Sequence, residues 1–235
     1  CLAEAGQHVM LVDFDPQGNA SSGLGVEIEE HEHTVYDLMA EEAGLDECLV
    51  KNVQDNLDVL PSDMNLAGAE IEFQEIENKE TLLKRYLDQV RDDYDFILID
   101  CPPSLSMLTL NALCFANGVI VPMQCEYFAL EGLTDLVASI RRVHNEKNPG
   151  LRIISILRVM FDPRITLQQQ VSEQLKKHFG DKVFNTIIPR NVRLAEAPSY
   201  GKPGVVYDRS SRGAMAYKAF ADEIISRMEA KKTNG

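Results

Sequence analysis

No stretch of this 235-residue sequence is apolar for long enough to span a bilayer, and no secretory leader pattern opens it, so a cytoplasmic protein without a membrane anchor is expected. Cysteine is scarce: Cys1, Cys48, Cys101, Cys114 and Cys125 form no C-x-x-C pair and have no histidine at metal-ligand spacing. That argues against a disulfide framework or a zinc site and leaves core thiols of a reducing compartment. Repeats, low-complexity tracts and linkers are missing too, so a single α/β domain over residues 1–235 is expected. None of the 14 glycines stands in a G-x-x-x-x-G-K-[ST] frame, the loop that cradles nucleotide phosphates.

Positive charge is also missing from most of the chain. Residues 1–150 hold 8 Lys and Arg against 29 Asp and Glu, a net of −21, whereas residues 151–235 hold 15 against 8, a net of +7. An overall charge of −14 therefore conceals a basic third able to meet a polyanion. The acidic runs at 27–47 and 70–80 read as solvated helix faces.

What is present centres on His8-Val-Met-Leu-Val-Asp-Phe-Asp-Pro-Gln-Gly-Asn19. A short β-branched apolar run bounded by turn formers reads as a buried parallel strand. The carboxyl ends of such strands form the ligand crevice of open α/β sheets. Alternation sends Asp13 and Asp15 to the same side there, an arrangement suited to a magnesium-bound phosphate and an attacking water. Asp-Pro and Gly-Asn are equally ordinary turn chemistry. A second run, Asp95-Phe-Ile-Leu-Ile-Asp100-Cys-Pro-Pro-Ser104, again ends a strand in an acid.

Between these landmarks the periodicity predicts a loop over 19–25 and short helices over 34–42 and 44–51. A strand over 57–60 and helices over 62–76 and 78–91 follow. Further strands fall at 94–99, 118–121, 151–160 and 182–188, with helices at 126–148, 166–178 and 211–229. Strands alternating with helices imply a mostly parallel, twisted sheet covered by helices on both faces.

Asp13-Phe-Asp-Pro-Gln-Gly-Asn19, Asp100-Cys-Pro-Pro-Ser104, Gln124-Cys-Glu-Tyr-Phe-Ala-Leu-Glu-Gly132 and Ile188-Pro-Arg-Asn-Val-Arg-Leu-Ala-Glu-Ala-Pro-Ser-Tyr-Gly201 together resemble the ParA/Soj partitioning ATPases. The likeness runs from about Cys1 to Met228. Members open with a strand and a glycine-rich loop carrying two lysines. Here Cys1-Leu-Ala-Glu-Ala-Gly6 reads as the tail of the helix after that loop, with Gly6 as its C-cap. The first strand and phosphate loop, about 30 residues in one strand-loop-helix unit, are therefore expected to be missing. The intact protein would be an ATPase and this piece inactive.

The resemblance implies ATP and Mg2+ as cofactors, with Asp15 positioning the attacking water, Asp13 supporting the metal shell and Asp100 holding the metal through a water. It implies adenine contacts from Pro189, Arg190 and Asn191, with Met160 nearby. Arg158 and Val159 depart from the family pattern there. Arg164 and Arg193 match positions that contact DNA nonspecifically, although Asp162, Glu196 or Asp208 could instead pair with such arginines. Implied partners are DNA, a second copy of the chain when ATP is bound, and a ParB-like centromere-binding protein, at the nucleoid. Alternatives are a non-catalytic DNA-binding module and a MinD-like division-site ATPase. The polar segment 227–235 argues against the membrane helix of the latter. An iron–sulfur reductase would need surroundings that Cys101 and Cys125 lack.

Overall fold

The computed structural model describes residues 1–233 apart from the side chains of residues 70, 154 and 231–233, so the last two residues of the polar segment 227–235 lie outside the described part. The chain divides into two compact units. The first comprises Leu2–Phe115 with Ala197–Pro203; the second comprises Ala116–Glu196 and Gly204–Gly235, with Cys1.

The first unit is built on strands β1 (Val9–Asp13), β2 (Val50–Gln54), β3 (Leu57–Leu60) and β4 (Phe96–Asp100), ordered β2-β3-β1-β4. β1 runs parallel to both neighbours, with Asp13 level with Asp100. Its helices are α1 (Asn19–Gly23), α2 (Val35–Met39), α3 (Leu45–Cys48), α4 (Ala69–Glu72), α5 (Leu82–Leu87) and α6 (Met107–Phe115). Met10, Val12 and Phe14 alternate into a core with Leu60, Leu82, Leu83 and Leu87, all fully buried. Each such side chain contributes about 1.5–3 kcal/mol by leaving water. Thr34 opens α2 with a capping box, its backbone N–H donating to Asp37 Oδ2 at 2.6 Å.

Several local expectations fail in this unit. The loop expected over 19–25 contains α1. The helix expected over 44–51 stops at Cys48, and the chain turns into β2, antiparallel to β3 across a tight Asp55-Asn56 turn. Asn56 adopts φ +61, a left-handed conformation asparagine tolerates, and that dipeptide was the available signal. The 62–76 helix is a broken run, a 3-10 turn over Met64–Ala67, then α4, then a 3-10 turn over Phe73–Glu75. Leu66, Ala69 and Phe73 do keep helical spacing toward the core, and Gly68, itself at helical φ −74, joins the 3-10 turn to α4. Asn78 takes a left-handed φ without capping, and only Leu82–Leu87 of 78–91 is α-helical. Cys1–Gly6 forms turns that close as a helix C-cap does, with Gly6 at φ +86 and bonds from Gly6 N–H to Ala3 O (2.9 Å) and Gln7 N–H to Leu2 O (3.2 Å), as expected for Gly6.

The second unit carries β5 (Gly118–Gln124), β6 (Arg152–Phe161) and β7 (Val183–Pro189), all parallel in the order β5-β6-β7. Its helices are α7 (Ala129–Glu146), α8 (Thr166–Phe179), α9 (Val192–Glu196), α10 (Gly204–Tyr207) and α11 (Arg212–Thr233). Here the expected elements stand to within a few residues. α7 buries Leu133, Ile140 and Val143, and α8 buries Val171 and Leu175. α11 is tied to β7 through Glu223, whose carboxylate accepts the backbone N–H groups of Asn185 (2.9 Å) and Thr186 (2.8 Å) and the Thr186 hydroxyl (2.7 Å). Arg227 bonds the same carboxylate at 2.7 Å and lies over the Phe184 ring.

Candidate functional site

Three carboxylates meet at the carboxyl ends of β1 and β4. Asp13 and Asp100 end adjacent strands in register, and the Phe14 N–H donates to the Asp100 carbonyl at 2.8 Å, extending the ladder one residue past Asp13. Asp15 follows in a turn closed by Gly18 N–H to Asp15 O at 2.9 Å, with Pro16 presetting its second position. Gly18 sits at φ +61, and a Cβ there would come within 3.0 Å of the Ser62 carbonyl, so glycine is required twice over. The Asp-Pro-Gln-Gly string therefore forms a turn, and that turn holds Asp15 beyond the end of β1.

The three acids have different surroundings. Asp13 is fully buried and turned inward: Oδ2 accepts both Ser21 N–H and Ser21 O–H at 2.8 Å, and Oδ1 accepts Asp15 N–H at 3.4 Å. It fixes the start of α1 and the loop that carries Asp15. Asp15 is half-buried, with Oδ1 held by the Gln17 N–H at 3.0 Å and Oδ2 without a protein partner. Asp100 has an exposed flank, and burial of its carboxyl, with Asp13 and then Asp15 adding repulsion, pushes it above the usual carboxylate range. None of the three has a cationic partner among the described residues. The arrangement is an oxygen-only, over-charged site that a hard divalent cation would relieve. No group of three or more His, Cys, Asp or Glu among the described residues forms a cage for a metal. Magnesium suits such an open set because it keeps most of its own waters. Beside it, burial and then Asp100 and Asp15 push the Cys101 thiol up to about 12, so it stays protonated and inert.

Sequence reasoning missed the packing of Gly25 (φ +77) on Gly201 (φ +57). A Cβ on Gly25 would lie 2.8 Å from the Gly201 carbonyl oxygen, so two backbones touch where the residues after α1 meet the end of the Ile188–Gly201 string. Only the paired glycines hinted at it.

In the second unit Pro189 ends β7, and the Arg190 N–H donates to Phe161 O at 3.2 Å. Asn191 Oδ1 caps α9, accepting Arg193 N–H at 2.9 Å. Met160 is half exposed and held at φ +50, a conformation an unbranched non-glycine residue adopts only under constraint. Arg158, the departure from the family pattern, is fully buried: its guanidinium donates to Ser172 Oγ (2.9 Å), Phe184 O (2.6 Å) and Asn185 O (3.1 Å), and Nε lacks a partner. It is a core crosslink among β6, α8 and β7. Arg164 is clamped by Asp162 through two bonds of 2.9 and 2.6 Å. Arg193 bonds Glu196 at 2.9 Å and lies 3.5 Å from Asp208. All three carboxylates foreseen as partners for these arginines engage them, yet both arginine side chains remain more than half exposed. At the carboxyl ends of β5 and β6, Tyr127 and Phe128 stack edge to face at 5.0 Å and are exposed beside a cavity of about 930 Å³.

Mostly parallel sheets covered by helices, with acids at adjacent strand ends, match the P-loop NTPase-like fold class, and a family model described as an AAA domain matches residues 1–153. The chain is 51% identical over 96% of its length to the chromosome-partitioning ATPase Soj of Treponema pallidum, covering 88% of that protein. It is 50% identical over 95% of its length to the sporulation initiation inhibitor protein Soj of Bacillus subtilis, covering 88% of it. Among solved structures, cobyrinic acid a,c-diamide synthase from Mycobacterium smegmatis, with bound ADP and magnesium, superposes with a TM-score of 0.83 at 33% identity, over 98% of this chain and 87% of that one. The chain belongs to the ParA/Soj family of chromosome-partitioning ATPases.

Proposed function

We propose that this protein is an ATP-switched partitioning ATPase, working as a single ATPase domain that pairs with a second copy when ATP is bound. The observation that carries the reading is the triad of unpaired carboxylates at the ends of β1 and β4, in a chain of this family. Magnesium-ATP would supply the phosphoryl group, and its Mg2+ the positive charge that offsets the acids. Asp15 Oδ2 would orient the attacking water, Asp100 would hold the metal through a water, and Asp13 would support the metal shell through the loop it anchors on Ser21. Phosphoryl transfer needs positioning and charge compensation more than covalent chemistry, so three fixed acids are a sufficient protein contribution on this side of the reaction. Pro189, Arg190 and Asn191 contact adenine, and the constrained Met160 packs close by.

The exposed Tyr127 and Phe128 favour a self-association surface. The basic third, through Arg164 and Arg193, binds duplex DNA without reading sequence, placing the protein on the nucleoid of the cytoplasm with a ParB-like partner that triggers hydrolysis. Magnesium-dependent ATP turnover and ATP binding, measured on the complete gene product and its Asp15→Ala variant, test the reading. Turnover should vanish while nucleotide affinity stays within about twofold. Equal loss of both would make Asp15 a structural or metal-holding residue and overturn its assignment.

A further inference from the structure

At the amino ends of β6 and β7, a cavity of about 640 Å³ opens between α7 and α11. Its walls include Val137, Ile140, Leu151 and Ile153, and its rim carries Arg141, Arg152 and Lys182. Asp181 is the one carboxylate of its lining, and it is exposed. Arg227 also lines the cavity, but its donors are taken up by Glu223, Ser155 Oγ and the carbonyls of Asp181 and Val183. It builds the floor and is not available to a ligand. His144 donates from Nδ1 to the Leu151 carbonyl at 2.9 Å, since a carbonyl can only accept, which leaves Nε2 as the ring's second polar atom.

The rim cations are among those of this chain that stand without a carboxylate ion-pair partner, as Arg190 and Arg212 also do among the described residues. In a protein of net charge −14, Arg85, Arg91, Arg142, Arg164, Arg193 and Arg227 each lie within 4 Å of a carboxylate. Arg141, Arg152 and Lys182 have no carboxylate partner among the described residues. Arg141 lies before the last turn of α7, where His144 is the basic residue, and Arg152 opens a strand, so a helix dipole accounts for neither. Three unpaired cations above apolar walls, in a volume typical of small-ligand pockets, fit an anion with an apolar body.

We propose that this cavity binds a small amphiphilic phosphate of about mononucleotide size, its phosphate oxygens held by Arg141, Arg152 and Lys182 and its body packed on the part-exposed Val137 and Ile153, with the buried Ile140 and Leu151 beneath. The site lies at the opposite strand ends from Met160 and Pro189 and does not rest on the partitioning reading. Duplex DNA offers the same phosphate chemistry, but its backbone has no apolar body to fill the walls.

The probe is 1-naphthyl phosphate, followed by its own fluorescence with the 235-residue chain. Wild type should bind it, and the Arg152→Glu, Lys182→Glu double variant should bind at least tenfold more weakly, since two charge-assisted contacts become repulsive. Asp15→Ala should bind as wild type does. Inorganic phosphate should compete far more weakly, and 1-naphthol should not bind. Both reversed side chains are exposed, so an unchanged melting temperature controls for folding, and Arg152→Ala gives a milder second variant with an intermediate loss. Unchanged affinity in the double variant overturns the proposal. So does inorganic phosphate binding as tightly as the naphthyl ester, which would make the walls idle. Displacement of the probe by duplex DNA at matched phosphate concentration would assign the cations to a nucleic-acid surface instead.

Discussion

Replacing Asp13 should show that an acid in a catalytic-looking string can be chiefly an architectural post. Its Oδ2 is the acceptor for both Ser21 N–H and Ser21 O–H at 2.8 Å, and Asp13 and Ser21 are both fully buried. Alanine at 13 strands two polar groups away from water, at about 1–3 kcal/mol each, against which stands the relief of burying one charge fewer. A net loss of about 3 kcal/mol is expected for Asp13→Ala. Ser21→Ala removes the hydroxyl's bond to Asp13 and the long bond it accepts from Ser62 N–H (3.4 Å) but keeps the backbone one, so about 1 kcal/mol is expected. Asp15→Ala, which forfeits one exposed turn bond to Gln17, should cost about 0.5 kcal/mol. Urea denaturation followed by circular dichroism measures all three, and the double variant Asp13→Ala, Ser21→Ala should show a coupling of about 1 kcal/mol. An Asp13→Ala loss no greater than that of Ser21→Ala would refute the reasoning, because the backbone bond to Ser21 would then carry nothing.

Asp100→Asn should raise the melting temperature at neutral pH, because burial and the neighbouring Asp13 and Asp15 penalise the ionised carboxylate. A raised acid is a liability above its folded pKa that fades as pH falls through it, so the advantage should shrink on acidification; growth of the advantage toward pH 4 would contradict the cause given. Glu223→Ala should cost about 3 kcal/mol by stranding Asn185 N–H, Thr186 N–H and Arg227. Burial pushes the Glu223 carboxyl up, but the bonds from Thr186, Asn185 and Arg227 outweigh it and hold it below its ordinary value. Its contribution is therefore present at neutral pH and lost as pH falls through that depressed range, so wild type should lose stability between about pH 5 and 3 more steeply than Glu223→Gln. In DNA binding by the complete gene product, Arg193→Ala should flatten the log–log salt dependence by about 0.9 for one lost phosphate contact. Arg164→Ala should do less because Asp162 already engages it; unchanged slopes in a filter-binding series would move the DNA surface elsewhere.

The sequence by itself determined the strands that hold the site. β1 and β4 are short β-branched runs stopped by acid and proline, a pattern that depends on neighbours in the chain alone. The helices α7, α8 and α11 were legible for the same reason, since each repeats its apolar residues over many turns. Short elements were not: β2 exists because β3 offers it an edge, and the run over 64–75 alternates between 3-10 and α geometry although Leu66, Ala69 and Phe73 keep helical spacing. Tertiary structure alone decided how the three acids differ. Asp13, Asp15 and Asp100 look interchangeable in the sequence, but Ser21, eight residues beyond Asp13, turns that acid inward and leaves the other two facing outward. It likewise decided that Arg158 lies in the core while Arg152 stands unpaired at a cavity rim. A charge's role depends on the field and the partners around it, and those come from residues far away in the chain.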